Sequence, residues 1–165
     1  MSTSLSSANP TLAATEEAIR LAAGDNVHAA AYLRIIARVA RMLDDLEDKD
    51  HGSVDTGFFA FLTLVALPRN PFFCANAGHL VALHDVTINA WQDSNEMDPH
   101  QESETARCWA DYVNEIACAV AGLTQGYERR RELSPRIRSL LYSDWSLHDL
   151  KRANGIVPEP CNQRS

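Results

Sequence analysis

Carboxylates in two stretches of the chain have the residue types and the spacing of a divalent-cation site. The first stretch contains Asp44, Asp45 and Asp48, and the second contains Asp85, Asn89 and Asp93. Residues four apart on a helix share a face, so the second stretch would present three oxygen ligands on one side. Hard oxygen donors suit Mg²⁺. One hypothesis is therefore a Mg²⁺-dependent enzyme that acts on a diphosphate.

The first stretch has the form D-D-x-x-D at a predicted helix end, Asp44-Asp45-Leu46-Glu47-Asp48. It resembles the first aspartate-rich motif of class I isoprenoid synthases, in which such carboxylates hold Mg²⁺ against a substrate diphosphate. The second stretch is similar to the second motif of that family in spacing, whereas its residue types differ. Asn at the first position, Ser or Thr in the middle and Glu at the end would be usual. The resemblance implies that both stretches face one cavity.

The same acidic residues also fit a solvated helix face. On a helical wheel, one stripe opposite the apolar face contains Arg34, Arg38, Arg41, Asp45 and Asp48. Oppositely charged residues four apart, such as Arg41 and Asp45, commonly pair on such a face. We favour this interpretation, under which the carboxylates lie in water and the protein needs no cofactor.

The adjacent pair His84-Asp85 looks like the H-D pair of the HD superfamily of metal phosphohydrolases. That family requires a further upstream histidine and a downstream aspartate, for which the choices are His28, His51 or His79, and Asp111. The helical wheel, however, puts His84 in an apolar stripe with Phe73 and Trp91. We therefore expect a core histidine whose ring nitrogens are hydrogen-bonded.

A third set of carboxylates is formed by Asp111 and Glu115, four residues apart. If the two long predicted helices pack antiparallel, these groups could complete a cluster with Asp93. The alternative, which we favour, is a hydrated outer face on which Arg107 and Asp111 pair.

Charge is distributed unevenly along the chain. The formal net charge is −7, which makes nucleic acid an unlikely partner. Residues 93–115 contain seven acidic side chains and one arginine. The basic side chains lie further on and form a candidate binding patch of Arg129, Arg130, Arg131, Arg136 and Arg138. This polarity predicts a docking surface for a charged protein, or a head-to-tail self-contact. In the enzyme hypothesis the first three of these arginines would contact phosphate.

The elements that would position these residues are all helices. Apolar residues recur at three- and four-residue steps in several segments, and no segment alternates convincingly as a half-buried strand would. We predict an all-α bundle of about six or seven helices with two long central helices, formed by residues 1–165 as a single domain. Residues 1–9 and 157–165 should be loosely ordered tails.

Capping residues set the expected helix boundaries. Gly24 would end the first helix, Asp25 or Asn26 would begin the second, and Asn70-Pro71 would begin a long helix that runs to about Ser94. Residues 58–67 are apolar almost all round, which predicts a helix buried on most sides. A second long helix would extend as far as Tyr127.

Two short helices should follow, one beginning at Ser134-Pro135 and one at Ser146. The four cysteines include no C-x-x-C pair, so reduced thiols in a cytoplasmic protein are the simplest expectation. No stretch reaches the ~20 apolar residues of a membrane span, and we expect no membrane partner.

Scattered residues in the middle and C-terminal parts of the chain resemble small helical proteins of unknown function from tailed phages and prophages. They include Asn70-Pro71-Phe72-Phe73, Asn89-Ala90-Trp91-Gln92-Asp93-Ser94, Asp111-Tyr112 with Glu115, and Gly126-Tyr127-Glu128 with Arg131 and Ser134. That family implies a phage or mobile-element context and no particular activity. The function that we predict is binding to a protein partner or self-association, and such a module should expose an apolar patch.

Overall fold

The computed structural model describes residues 12–47, 54–97 and 104–142. All regular secondary structure in these ranges is helical, which confirms the all-α prediction. The α-helices are α1 (Leu12–Ala23), α2 (Val27–Glu47), α3 (Thr56–Phe61), α4 (Pro71–Met97), α5 (Glu104–Ala110), α6 (Glu115–Gln125) and α7 (Tyr127–Leu141). A π-helical turn, Leu62–Ala66, continues α3, and a 3-10 turn, Asp111–Asn114, joins α5 to α6. The predicted tails, the helix expected after Ser146, Asp48 and His51 lie outside the described residues.

The turn between α1 and α2 forms where the capping residues predict it. Gly24 follows the last residue of α1 with a φ of +56°, a left-handed conformation that glycine adopts without steric cost. Asn26 then caps α2, because its Oδ1 accepts hydrogen bonds from the backbone N–H groups of His28 at 3.1 Å and Ala29 at 3.0 Å. Of the two residues that the sequence offered as caps, Asn26 is therefore the one used.

Asn70 begins α4 as predicted. Its Oδ1 accepts a hydrogen bond from the backbone N–H of Phe73 at 3.0 Å, and Pro71 occupies the first helical position, where a missing N–H costs nothing. The Asn70 side chain is buried, and its Nδ2 donates to the carbonyl oxygen of His28 at 3.0 Å. One side chain therefore both caps α4 and ties it to the start of α2.

The hydrophobic core lies where α1, α2, α4, α6 and α7 meet. Its largest fully buried apolar side chains are Tyr32, Leu80, Ile116, Val120 and Ile137. At the far end of α6, Thr124 donates a hydrogen bond to the carbonyl oxygen of Ala22 at 2.9 Å. Gln125 donates one to the carbonyl oxygen of Leu21 at 2.9 Å. These bonds occupy carbonyl groups at the end of α1 that have no partner within the helix.

The segment of α3 and its π turn is helical but is not buried as predicted. Leu62 is its one buried side chain, and the π turn packs on α2 through this side. The side chains of Phe58, Phe61, Leu64 and Val65 are 40%, 50%, 76% and 37% exposed. The expectation failed because an apolar segment has no polar face that would show which side meets solvent, and neighbouring helices cover only one side.

The start predicted at Ser134-Pro135 is also wrong, because α7 runs through Pro135 without a break. The chain instead turns at Gly126, whose φ is +87°. Pro135 removes one backbone donor from the helix, yet Leu133, Ile137 and Leu141 around it are buried in the core. Tertiary packing therefore outweighs the local preference of proline for a helix start.

The second long helix is interrupted. The 3-10 turn of Asp111–Asn114 separates α5 from α6, and α6 ends at Gln125, so Tyr127 belongs to α7. Within the described ranges, α4 is the longest helix, with 27 residues.

Candidate functional site

Asp85, Asn89 and Asp93 line one cleft, as their spacing predicts. The cleft has a volume of about 340 Å³ and lies between α4 and the segment 104–114. The other residues that line it are Val86, Ala90, Trp109 and Tyr112. No residue of α2 lines this cleft. The three residues of the second acidic stretch therefore share one cleft, and Asp44 and Asp45 do not line it.

The polar side chains of the cleft face solvent. Asp85, Asn89 and Asp93 are all exposed, and Nδ2 of Asn89 donates a hydrogen bond to Oδ2 of Asp93 at 3.1 Å. The indole of Trp109 is half-buried, and Tyr112 is 41% exposed. The cleft thus combines two hydrated carboxylates with two aromatic rings.

The two described carboxylates of the first acidic stretch, Asp44 and Asp45, are half-buried on α2. The guanidinium of Arg41 contacts Oδ1 of Asp45 at 3.2 Å, as the spacing predicts, and Asp44 also has an interaction partner. Within the described ranges, no group of three or more His, Cys, Asp or Glu side chains is placed to hold a metal ion. In the cleft, Asn89 turns an N–H rather than an oxygen toward Asp93. The donors that the described residues bring together do not fit a Mg²⁺ site.

The basic patch is largely engaged within the molecule. Its contacts are Arg129 with Glu132 at 2.6 Å, Arg130 over the ring of Tyr127 at 5.2 Å, Arg136 with Glu17 at 3.0 Å and Arg138 with Glu115 at 2.6 Å. Arg131 is exposed and forms no ion pair with another described residue. Three of the five arginines therefore pair with a glutamate, and Arg136 shares Glu17 with Arg20.

Glu115 belongs to a polar cluster with α7, and not to the cleft. Both of its carboxylate oxygens accept hydrogen bonds from Arg138 at 2.6 Å, and Tyr142 donates a third at 3.0 Å. The bonds from Arg138 hold the pKa of Glu115 below its usual range. The possible cluster of Asp93 with Glu115 is thus not formed, because α6 packs against α7 and directs Glu115 there.

Cys118 lies one helical turn beyond Glu115 and is buried. Burial, and secondarily the negative charge of Glu115, raise the pKa of its thiol. A thiol that stays protonated is a poor nucleophile, so this cysteine acts as a core side chain.

His84 is a hydrogen-bonded core histidine, which confirms that interpretation. Its Nε2 lies 2.7 Å from the hydroxyl of Tyr32, and its ring stacks on Phe73 with centroids 5.8 Å apart. Burial lowers the pKa of His84. Asp85, by contrast, lines the exposed cleft. The two residues of the H-D pair therefore lie in different surroundings.

The surface that the sequence did not reveal is formed by Phe58, Phe61, Leu64 and Val65, hereafter the α3 ridge. These residues lie at three- and four-residue steps along α3 and its π turn, and each is more than one-third exposed. The rings of Phe58 and Phe61 stack with centroids 6.4 Å apart. The guanidinium of Arg38 lies 5.9 Å from the centroid of Phe58. The sequence shows the apolar residues, but only the fold shows that they are uncovered.

No protein-family model, curated protein or solved structure matches this chain. The resemblances to isoprenoid synthases, HD phosphohydrolases and phage proteins remain predictions from short motifs. Among the helices that the structure describes, none is by itself long and apolar enough to cross a membrane. Residues 56–66 and α4 pass that test only as a pair bent by 91°.

Proposed function

We propose that this protein acts by binding a protein surface through the α3 ridge, with a second copy of the chain as the occupant. The observation that carries the proposal is the exposure of four large apolar side chains along one side of a helix. Folded monomers seldom leave neighbouring large apolar side chains uncovered unless the surface has a partner. The ridge matches the apolar patch expected of a binding module.

The ridge has the composition of an energetically important contact. Interface energy concentrates in a few aromatic and large aliphatic side chains, and burial of apolar surface stabilises by about 25 cal/mol per Å². Phe61 and Leu64 are 50% and 76% exposed, so half or more of each residue's surface is still available for burial. Association through the ridge would remove this surface from water.

Contacts within the segment also order the ridge before it binds. The stacked rings of Phe58 and Phe61 restrain each other. In the π turn, the hydroxyl of Thr63 donates to the carbonyl oxygens of Phe59 at 3.0 Å and Ala60 at 3.3 Å. The backbone N–H of Leu67 donates a hydrogen bond to the carbonyl oxygen of Leu62 at 2.9 Å. Ordering before contact reduces the entropic cost of association.

The α3 ridge is the surface on which a second copy meets the least charge repulsion. The chain carries a net charge of −7, so two copies repel each other over most of their surfaces. Residues 57–67 contain no charged side chain. A contact of ridge on ridge therefore desolvates no ion of this segment, and the guanidinium of Arg38 lies beside Phe58 at the edge of the ridge. Such a contact is also self-complementary, as a two-fold symmetric dimer requires.

Sedimentation of two matched variants tests the proposal. Leu64→Asp adds a charge at a ridge position that is 76% exposed, and Leu12→Asp makes the same change at a position on α1 that is 80% exposed. Neither site is buried, so both variants should keep the thermal stability of the wild type to within about 0.5 kcal/mol. We expect the wild type and Leu12→Asp to show reversible self-association, and Leu64→Asp to remain monomeric.

A wild type that remains monomeric up to about 1 mM, where even an interface worth about −4 kcal/mol is half populated, would contradict self-association. Equal loss of dimer in both variants would show that added negative charge acts generally and that the ridge is not the contact. Flotation of the wild type, but not of Leu64→Asp, with lipid vesicles would assign the ridge to a membrane surface instead.

A further inference from the structure

The cleft between α4 and the segment 104–114 carries negative charge at two separated points and an apolar wall between them. Asp85 and Asp93 are eight residues apart on α4, which places them about 12 Å apart along the helix axis. The intervening lining residues are Val86, Asn89 and Ala90 on the same helix, with Trp109 and Tyr112 on the adjoining segment. A ligand that fills this cleft must match both the spacing and the wall.

The carboxylates of the cleft are not neutralised by the fold. Glu16, Glu17, Asp45 and Glu115 each form an ion pair with an arginine. No lysine or arginine is among the described residues that line the cleft, and none of the ion pairs among the described residues involves Asp85 or Asp93. The one hydrogen bond that Asp93 accepts there comes from the neutral amide of Asn89. The cleft therefore retains two unbalanced negative charges beside two aromatic rings.

We propose that this cleft binds an extended aliphatic dication of the polyamine class, with one ammonium group at Asp85 and the other at Asp93. A single metal ion or guanidinium cannot bridge carboxylates that lie about two helical turns apart. A linear diamine of matching length can reach both. This inference is independent of self-association through the α3 ridge.

The aromatic wall adds selectivity for this class of ligand. Trp109 and Tyr112 can pack against a methylene chain, and each ring face also attracts an ammonium group nearby. The volume of about 340 Å³ accommodates a thin linear molecule. Since Asp85 and Asp93 are exposed, the ammonium groups would keep part of their hydration, which limits the cost of binding.

An NMR titration of the full ¹⁵N-labelled chain tests the proposal. The indole N–H signal of Trp109 is assigned by its loss in Trp109→Phe, and diaminooctane is added as the probe, because its amino groups are spaced to match the two carboxylates. The matched control ligand is the amino alcohol of the same length, which lacks one charge. Diaminobutane has both charges but is too short. We expect saturable movement of the Trp109 signal with diaminooctane, at an apparent affinity at least fivefold higher than with either control ligand.

Four substitutions test the location of the site. Asp85→Asn and Asp93→Asn should each lower the affinity for diaminooctane at least fivefold, to the affinity that the wild type has for the amino alcohol. Asp25→Asn removes a charge from the exposed turn between α1 and α2 and should leave the titration unchanged. Leu64→Asp should also leave it unchanged, which separates this site from the α3 ridge. All of these side chains are exposed, and the dispersion of each spectrum reports whether the variant is folded.

Any of three results would overturn the proposal. Equal affinity for diaminooctane and the amino alcohol would mean that the cleft does not recognise two charges. Retention of wild-type affinity in Asp85→Asn and Asp93→Asn would mean that the diamine binds elsewhere. A wild-type Trp109 signal that does not move with any ligand would exclude the cleft as a site for this class.

Discussion

The hydroxyl of Tyr32 on α2 lies 2.7 Å from Nε2 of His84 on α4, and this bond joins two helices across 52 residues of sequence. Phe73 stacks on the histidine ring with an interplanar angle of 4°. Tyr32 is completely buried and His84 is half-buried. This polar pair inside an aromatic cluster fixes how α4 sits on α2.

The stability of the fold should decrease as His84 takes up a proton. Burial lowers the pKa of His84 in the folded chain, so the unfolded chain binds this proton more readily. The stability that the neutral His84 ring contributes is fully present above the ordinary histidine pKa of about 6.5. It is lost as the pH falls from that value toward the lower pKa that His84 has in the folded chain. Urea unfolding near pH 7.5 and near pH 5.5 measures the loss, which should be smaller in His84→Gln than in the wild type.

His79→Gln is the matched control for this pH dependence. His79 is also on α4 but is exposed, so its replacement should leave the wild-type difference between the two pH values unchanged. An equal response of His84→Gln and the wild type to acidification would show that His84 does not carry the effect.

The contact between Glu115 and Arg138 should contribute more than the other exposed ion pairs. Arg138 binds both oxygens of Glu115, whose side chain is 32% exposed, while the partners Arg129 and Glu132 are 54% and 62% exposed. A double-mutant cycle with Glu115→Gln and Arg138→Met should give a coupling energy of about 1 kcal/mol. The same cycle with Glu132→Gln and Arg129→Met should give a value near zero.

This contact also has a defined pH window. Hydrogen bonds from Arg138 lower the pKa of Glu115 in the folded chain. The stability that the ionised carboxylate contributes is therefore fully present above the ordinary glutamate pKa, and it is lost as the pH falls through the pKa of the folded chain. The coupling energy measured near neutral pH should therefore persist at pH 5 and decline below about pH 4. A coupling that is equal for the two pairs, or that is unchanged at pH 3, would contradict this account.

A thermal melt tests the alternative of a Mg²⁺-dependent enzyme. A ligand at ~100 times its dissociation constant adds about 2.7 kcal/mol to stability. Since the cleft contains none of the carboxylates of α2, we expect Mg²⁺ with pyrophosphate to leave the melting temperature unchanged in both the wild type and Asp45→Asn. An increase in the melting temperature of the wild type that Asp45→Asn abolishes would establish the metal site. It would contradict the interpretation of these carboxylates as part of a solvated helix face.

Local chemistry made the helix boundaries at Gly24, Asn26 and Asn70 predictable. Asn26 and Asn70 cap their helices through hydrogen bonds to residues two or three positions away, and Gly24 supplies a positive φ. These effects involve neighbours in the sequence. The spacing of Asp85, Asn89 and Asp93 likewise predicted a shared face, which the cleft confirms.

Features that depend on distant residues were not predictable in this way. The partner of Glu115 lies 23 residues further along the chain, and no local pattern selects Arg138 over its neighbours. The pair Ser134-Pro135 is typical of a helix start, but α7 continues through Pro135 because the residues around it are buried in the core. Residues 58–67 have the composition of a core helix, yet their exposure depends on which neighbours pack against them. The α3 ridge was therefore visible only in the fold.

The measurement that tests self-association most directly is an isotope-filtered NOE experiment on a mixture of labelled and unlabelled chains. It detects contacts between copies and identifies the residues involved. Ridge-on-ridge packing predicts intermolecular cross-peaks between the methyl groups of Leu64 and Val65 and the rings of Phe58 and Phe61. A sample in which these cross-peaks are missing, or in which the intermolecular cross-peaks arise from other surfaces, would contradict the account.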